Sequence, residues 1–414
     1  MAESPALPSF PFPGGSGGEF PAGLHRLLAE PKLTRVMLPS GHPAWLAAHF
    51  DHVRAVGADP RFSRAMATQP GAPAIGPISQ QLPGSLPIIF NLDPPEHTRL
   101  RKLVAGAFTQ RKMEGYRPTI ERIVAEQIQE LAENGPPADL VRHFSAVIPG
   151  AVICELLGLP AAAGECFRRA AEAMLTVSGR SSEEVSAIRD EMLGYMIKLI
   201  ADRRARPGQD LLSTLISARD DDDKLSELEL IVLCGSLFIA GNQTTANQIS
   251  NLVLTLLEHP AELARLRDHP ELLPVAVEEL LRFFPKRDGG LQIRIATADV
   301  EIGGVTVRAG DAVLISHTAA NRDPAAFDEP DRLHLGRPDN HHVTFGVGAH
   351  FCLGAQLARL ELQIAIGALL RQFPGLRLAV PAAELQWRDT LTTWALAELM
   401  VAWLTRPPIR LATT

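Results

Sequence analysis

Residues 345–354 read FGVGAHFCLG, and the fold turns on this stretch. It places Cys352 among three glycines, just before the run LGAQLARLELQIAIGALL at 353–370. A cysteine that merely fills a core behaves as a small hydrophobe and needs no glycines beside it. Gly346 and Gly348 remove side chains where the backbone would lie against a flat ligand, and both can take positive φ. Gly354 lets the chain turn tightly after the sulfur. The apolar spacing that follows predicts a helix, so Cys352 sits near a helix N-terminus, where the macrodipole and free amides favour a thiolate. A thiolate held by backbone donors beneath a planar cofactor is an axial ligand of haem iron, of the kind that pushes electron density toward O–O cleavage.

The rest of the chain can accommodate such a cofactor. With 414 residues, 46% hydrophobic and 21% charged, the composition is that of a globular protein with a sizeable core. A formal net charge of -7 and the lack of any basic block argue against nucleic acid as a partner. Cys154, Cys166, Cys234 and Cys352 form no close pair or metal-type cluster, which suits a reducing cytosol better than a disulfide framework or a zinc site. Residues 1–25, rich in proline and glycine, read as a flexible tail with neither signal peptide nor membrane anchor, and 26–414 as a single domain. The run DDDDK at 220–224 reads as a solvated loop. Helical periodicity dominates from 94 to 283 and from 354 to 373, while strand-like patches lie at 33–56 and 290–316. The predicted fold class is mainly α with a smaller β part.

Two helix starts carry capping signals. Asp93 precedes Pro94 and Pro95, with Glu96 three residues on, and predicts an N-cap. Ser226 with Glu229 opens a segment that stays apolar as far as Pro260. At roughly thirty residues it is long enough to cross a domain, and it is too apolar all round to lie on a surface.

The pattern Phe-x-x-Gly-x-x-x-Cys-x-Gly, here Phe345, Gly348, Cys352 and Gly354, resembles the signature of the cytochrome P-450 family of haem-thiolate monooxygenases at every fixed position. The other motifs fall in that family's order, from about 26 to 405. The resemblance implies the cytochrome P-450 fold, with the long buried helix over haem b (iron protoporphyrin IX), Cys352 as the metal ligand and O2 as co-substrate. Phe345, Gly346 and Gly354 would pack against the cofactor. His97, Arg101, Arg294 and His350 match positions that hold the two haem propionates, which need buried cationic partners. In VEELLR at 277–282, followed by FDEPDRLHLGR at 327–337, it implies a structural ion network of Glu279, Arg282 and Arg332 behind the cysteine loop.

In AGNQTT at 240–245, the family opens the helix above the iron with small residues, here Ala240 and Gly241, and places a threonine, Thr244, on bound oxygen or a water. Thr244 can also bond back to a carbonyl four residues earlier. The position before this threonine is usually acidic in the family, whereas this chain has Gln243, which can orient water but cannot ionise. Catalytic roles therefore fall on Thr244, Gln243, Ala240 and Gly241. The substrate pocket would draw on Gln81, Leu86, Phe238, Leu291 and Trp394, a mixed lining suited to a medium-sized molecule with amide or hydroxyl groups.

The function implied is oxidation of such a molecule, in secondary metabolism, by a cytoplasmic monomer. Electrons would come from a ferredoxin-type donor with its own NAD(P)H-dependent reductase, docking near Lys102, Arg111, Lys112 and Arg359. Oxidative C–C or C–O coupling on the same haem is one alternative, and a non-catalytic haem-binding protein is another.

Overall fold

The computed structural model describes residues 7–12, 18–75, 86–160, 163–175, 181–220, 224–286, 292–388 and 394–404. Its organising element is the helix Glu227–Glu258, 32 residues and roughly 48 Å long at 1.5 Å per residue. It starts where the capping box predicts: Ser226 Oγ accepts from Glu229 N at 3.1 Å, and the Glu229 carboxylate accepts from Ser226 N at 2.8 Å. Helices Ile148–Leu157, Ala163–Leu175, Ser182–Ala205 and Ala355–Gln372 pack around it. Among the described residues it is the one helix long and apolar enough to cross a bilayer, and 67% of its most apolar window is buried inside the protein. That is the burial of a core helix. Ser236 and Thr255 satisfy their hydroxyls within the helix, donating to the carbonyls of Val232 and Asn251.

The β part lies to one side. Strands β1 (Thr34–Met37), β2 (Pro43–Ala47), β3 (Phe62–Ser63), β4 (Ile293–Ala296) and β5 (Ala312–Ile315) form one sheet in the order β1-β2-β5-β4-β3. Only β2 and β5 pair in parallel, with Trp45 opposite Val313. On its other edge β5 pairs antiparallel with β4, setting Arg294 opposite Val313. Alternate residues of these strands feed two apolar clusters flanking the sheet.

Three expectations need correction. The patch at 33–56 is strand only as far as Ala47; Phe50–Ala58 is helical, because Phe50, Val53 and Val56 recur every three residues on one buried face. The predicted tail is partly built in: Phe10 is buried and its N–H donates to Met37 O at 2.9 Å, and the helix Ala22–Leu28 begins before residue 26. Asp93 does not cap the helix Glu96–Ala105, whose N-cap position is Pro95. The Asp93 carboxylate turns back to β3 instead, accepting from Ser63 Oγ and from the N–H groups of Arg64 and Ala65.

Candidate active site

Residues 345–352 form a tight loop, closed by Cys352 N donating to Phe345 O at 2.8 Å. Gly346 and Gly348 take φ values of +78° and +70°, which a side chain would strain. A Cβ on Gly348 would lie 2.2 Å from Gly57 O, and one on Gly57 would lie 2.3 Å from Val347 Cγ2. The loop thus rests directly on the backbone of helix Phe50–Ala58. Cys352 follows it, two positions before Gly354, the N-cap of helix Ala355–Gln372.

The sulfur opens onto a cavity of about 590 Å³ that runs between this loop and the central helix. Cys352 is accessible and lines that space. Burial pushes the Cys352 thiol up, against the charge of Lys286, the Gly354 N–H and the charges of Arg101 and Arg359. Burial thus opposes the thiolate, while the Gly354 N–H at the helix terminus favours it as expected. An iron ligated there would deprotonate it outright.

Cations gather on one wall of the cavity. His97 and Arg101 share a face of helix Glu96–Ala105, Arg294 comes from β4 and His350 from the cysteine loop. The His97 and His350 rings lie 4.3 Å apart, and buried His97 Nδ1 has no protein partner. Arg101 also ties its helix to the loop, donating to Phe351 O at 2.6 Å. Burial and then the charges of Arg294, His97, Arg64 and Arg101 push the His350 imidazole down to about 3, so it stays neutral. The same causes lower His97 in kind: burial first, then Arg101. A wall this positive suits a ligand bearing carboxylates, and haem fits the thiol, the glycine surface and the cations together.

Above the sulfur, Ala240 is exposed to the cavity and Thr244 lines it. Thr244 Oγ1 donates to Ala240 O at 2.7 Å, leaving its lone pairs facing the space. Gly241 does more than widen the opening, since its Cβ would lie 3.3 Å from Ile153 Cδ1, in the contact with helix Ile148–Leu157. Gln243 is held along the helix, its Nε2 donating to Asn247 Oδ1 at 3.1 Å. Glu361, not anticipated, also lines the cavity, is buried, and has an Oε2 with no partner. Burial raises its carboxyl well above the usual carboxylate range. Its signal was available: it shares a helical face with Leu357 and Ile364, where an unpaired acid is out of place.

The ion network behind the loop differs from expectation in one member. Glu279 accepts from Arg282 Nε at 2.8 Å and NH2 at 2.9 Å, and from Arg337 Nε at 3.0 Å. His334 N and Asn340 Nδ2 complete its shell. Arg332 contributes only its backbone carbonyl; its guanidinium pairs with Glu329 at the surface, 68% exposed. From this network Arg282 NH1 reaches Asn321 O, and the Asn321 side chain accepts from Val343 N and donates to Thr344 Oγ1, at the root of the cysteine loop. Arg359 is likewise inward-looking, paired with Glu278 at 2.8 Å and lying 4.5 Å over the Phe345 ring.

Of the expected pocket residues, Leu86 lines the cavity. Phe238 does not: it is fully buried against Phe167, with ring centroids 4.6 Å apart, and Leu237 and Ile239 line the cavity instead. Trp394 packs edge-on to Trp387, and its carbonyl accepts from Asn251 Nδ2, outside the described lining. Gln81 and Leu291 lie outside the described residues.

Comparison with known proteins agrees with this site. The Cytochrome P450 family profile matches residues 166–377. Nocardicin C N-oxygenase of Nocardia uniformis subsp. tsuyamanensis is 44% identical over 396 residues, 95% of this chain and 98% of that protein. The mycinamicin IV hydroxylase/epoxidase of Micromonospora griseorubida is 43% identical, covering 92% of this chain and 95% of that one. A solved cytochrome P450 with biaryl coupling reactivity superposes with a TM-score of 0.85 at 41% identity, covering 93% of this chain and 97% of that one. This chain belongs to the cytochrome P450 family. It is an oxidoreductase of the cytochrome P450 monooxygenase type.

Proposed function

We propose that the chain inserts oxygen into a substrate bearing amide or hydroxyl groups, as a cytoplasmic monomer supplied with electrons by a ferredoxin-type donor. The observation that carries this reading is the meeting, around one cavity, of the Cys352 sulfur, the cationic wall and the Thr244 groove. Cys352 would ligate the iron, and His97, Arg101, Arg294 and His350 would hold the haem carboxylates. When bound, that haem supplies the activation of O2.

The chain's own residues supply position and protons. Thr244 Oγ1, oriented by Ala240 O, presents its lone pairs to a water or oxygen in the groove. Gln243 is fixed on Asn247 and can only orient water. Glu361, on the helix that follows Cys352, is a buried acid lining the cavity whose proton affinity burial raises. The lining is apolar with Thr68, Gln69, Gln248 and Gln292 interspersed, which supports a substrate with several hydrogen-bonding groups over a bare hydrocarbon. Lys102, Arg111 and Lys112 are exposed and remain the docking cations, whereas Arg359 is spoken for by Glu278.

The test is an optical titration of the ferric protein with cyclic dipeptides, macrolactones, terpenoids and fatty acids, followed by product mass. A low-spin to high-spin shift with one class and a gain of one oxygen support the proposal. A loss of two hydrogens with no oxygen gained would replace insertion with coupling, the chemistry named for the relative with biaryl coupling reactivity. Oxygen consumption with no product from any shifted ligand would overturn both.

A further inference from the structure

The segment VEELLR at 277–282 carries two neighbouring acids on the helix Leu273–Phe283. Successive helical residues point about 100° apart, so Glu278 and Glu279 meet different surroundings. Glu279 serves the ion network behind the cysteine loop. Glu278 faces the helix Ala355–Gln372, where the Arg359 fork closes on it. Nε lies 2.8 and 3.0 Å from its two oxygens, and NH2 lies 2.8 Å from Oε2. A bidentate pair of this kind fixes the plane of the guanidinium as well as its position.

Both ends of the pair return to the cysteine loop. Thr344 N donates to His342 Nδ1 at 3.2 Å, which leaves the imidazole hydrogen on Nε2. Nε2 in turn lies 3.1 Å from Glu278 Oε2, and the His342 side chain is 1% exposed. At the other end, the Arg359 guanidinium sits 4.5 Å over the ring of Phe345, the residue after Thr344. A cation on an aromatic face is held there by the ring's own charge distribution. Phe345 lines the cavity, and its carbonyl accepts from Cys352 N at 2.8 Å. Thr344, His342, Glu278, Arg359 and Phe345 thus close a circuit around the root of the loop that presents the sulfur.

Reduction places one more negative charge at the iron, so a fixed cation nearby favours it and a fixed anion opposes it. Resting on the haem reading above, we infer that Glu278 and Arg359 form a charge pair that sets the reduction potential of the haem. Glu278, oriented by His342, holds the Arg359 charge on the Phe345 ring, where it favours the reduced iron. Arg359 is therefore a positioning residue that acts through the loop, and its charge is not offered to a docking partner.

An optical redox titration of the substrate-free holoprotein tests this, using native protein, Arg359→Gln, Arg359→Lys and Glu278→Gln. Seven residues at about 1.5 Å each set Arg359 about 10 Å from Cys352. A unit charge at that distance, with an effective dielectric of about 20, shifts the reduction equilibrium about tenfold, or about 59 mV for one electron. Arg359→Gln should lower the potential by about that amount, and Glu278→Gln should raise it. Arg359→Lys keeps the charge and should stay close to native. Shifts of one sign for both neutral variants would mean a merely structural pair and overturn the inference. Unchanged potentials would do the same, as would an Arg359→Lys value as low as that of Arg359→Gln. Should Arg359→Gln not fold, Glu278→Gln decides alone, and the absence of a rise overturns the inference. Failure of the native protein to give the thiolate-type carbon monoxide band would instead remove the haem reading itself.

Discussion

Replacing Arg337 with methionine should destabilise the protein, and replacing Arg332 should not. Arg337 is 8% exposed against a Glu279 that is fully buried, and its other N–H groups hold the carbonyls of Asp328, Glu329 and Arg332. Removing one partner of a buried pair costs about 3–5 kcal/mol. Arg282 stays on Glu279 in the variant, so the lower end, about 3 kcal/mol, applies. Over 414 residues, an unfolding entropy of about 2.1 cal/mol/K per residue gives about 0.9 kcal/mol/K. The midpoint should therefore fall by about 3 °C. Arg332 pairs with Glu329 in solvent, where such a bridge contributes about 0–1 kcal/mol, so Arg332→Met should move the midpoint by about 1 °C or less. Thermal unfolding followed by far-ultraviolet circular dichroism at one scan rate makes the comparison. Equal shifts, or a larger one for Arg332→Met, would refute the assignment of the network to Arg337.

Two further outcomes follow from neighbouring geometry. Gln243→Glu places an ionisable group beside Thr244 and should raise product formed per O2 consumed, because a carboxylate can relay a proton where an amide cannot. Unchanged coupling would mean that protons reach the groove without residue 243. Burial raises the Glu278 carboxyl, but hydrogen bonds from His342 and Arg359 outweigh it and hold it at about 2, against 4.5 unperturbed. A depressed carboxyl stabilises the fold fully above its unfolded value and loses that contribution as pH falls from about 4.5 toward 2. Urea midpoints measured from pH 6 to 3 should fall more steeply for native protein than for Glu278→Gln, and parallel curves would count against the pairing.

What could be read in advance was local in sequence. The cysteine loop announces itself because positive φ and close approach select glycine at Gly346 and Gly348. Ser226 and Glu229 announce the central helix because a capping box closes within four residues. Positions whose meaning depends on a path through space were not legible. Arg332 and Arg337 both lie in an irregular segment, where no period says which one turns inward. Phe238 and Leu237 differ by 100° around a helix that is buried on all sides, so apolarity cannot tell cavity from core. Asp93 looked like a cap, yet its carboxylate closes a contact thirty residues back in the chain. Arg359, expected at a docking face, is turned inward only by its pairing with Glu278 on another helix.

The contact between Gly57 and Gly348 has its own consequence. At Gly348 the metal-ligand loop is seated on another backbone, and the side chain in this contact is that of Val347, against Gly57. Its depth below the cavity is therefore inherited from where the sheet places the helix Phe50–Ala58. A movement of the β part is therefore expected to carry the loop, and with it the sulfur, up or down. The small sheet works as the datum from which the height of the thiolate is set.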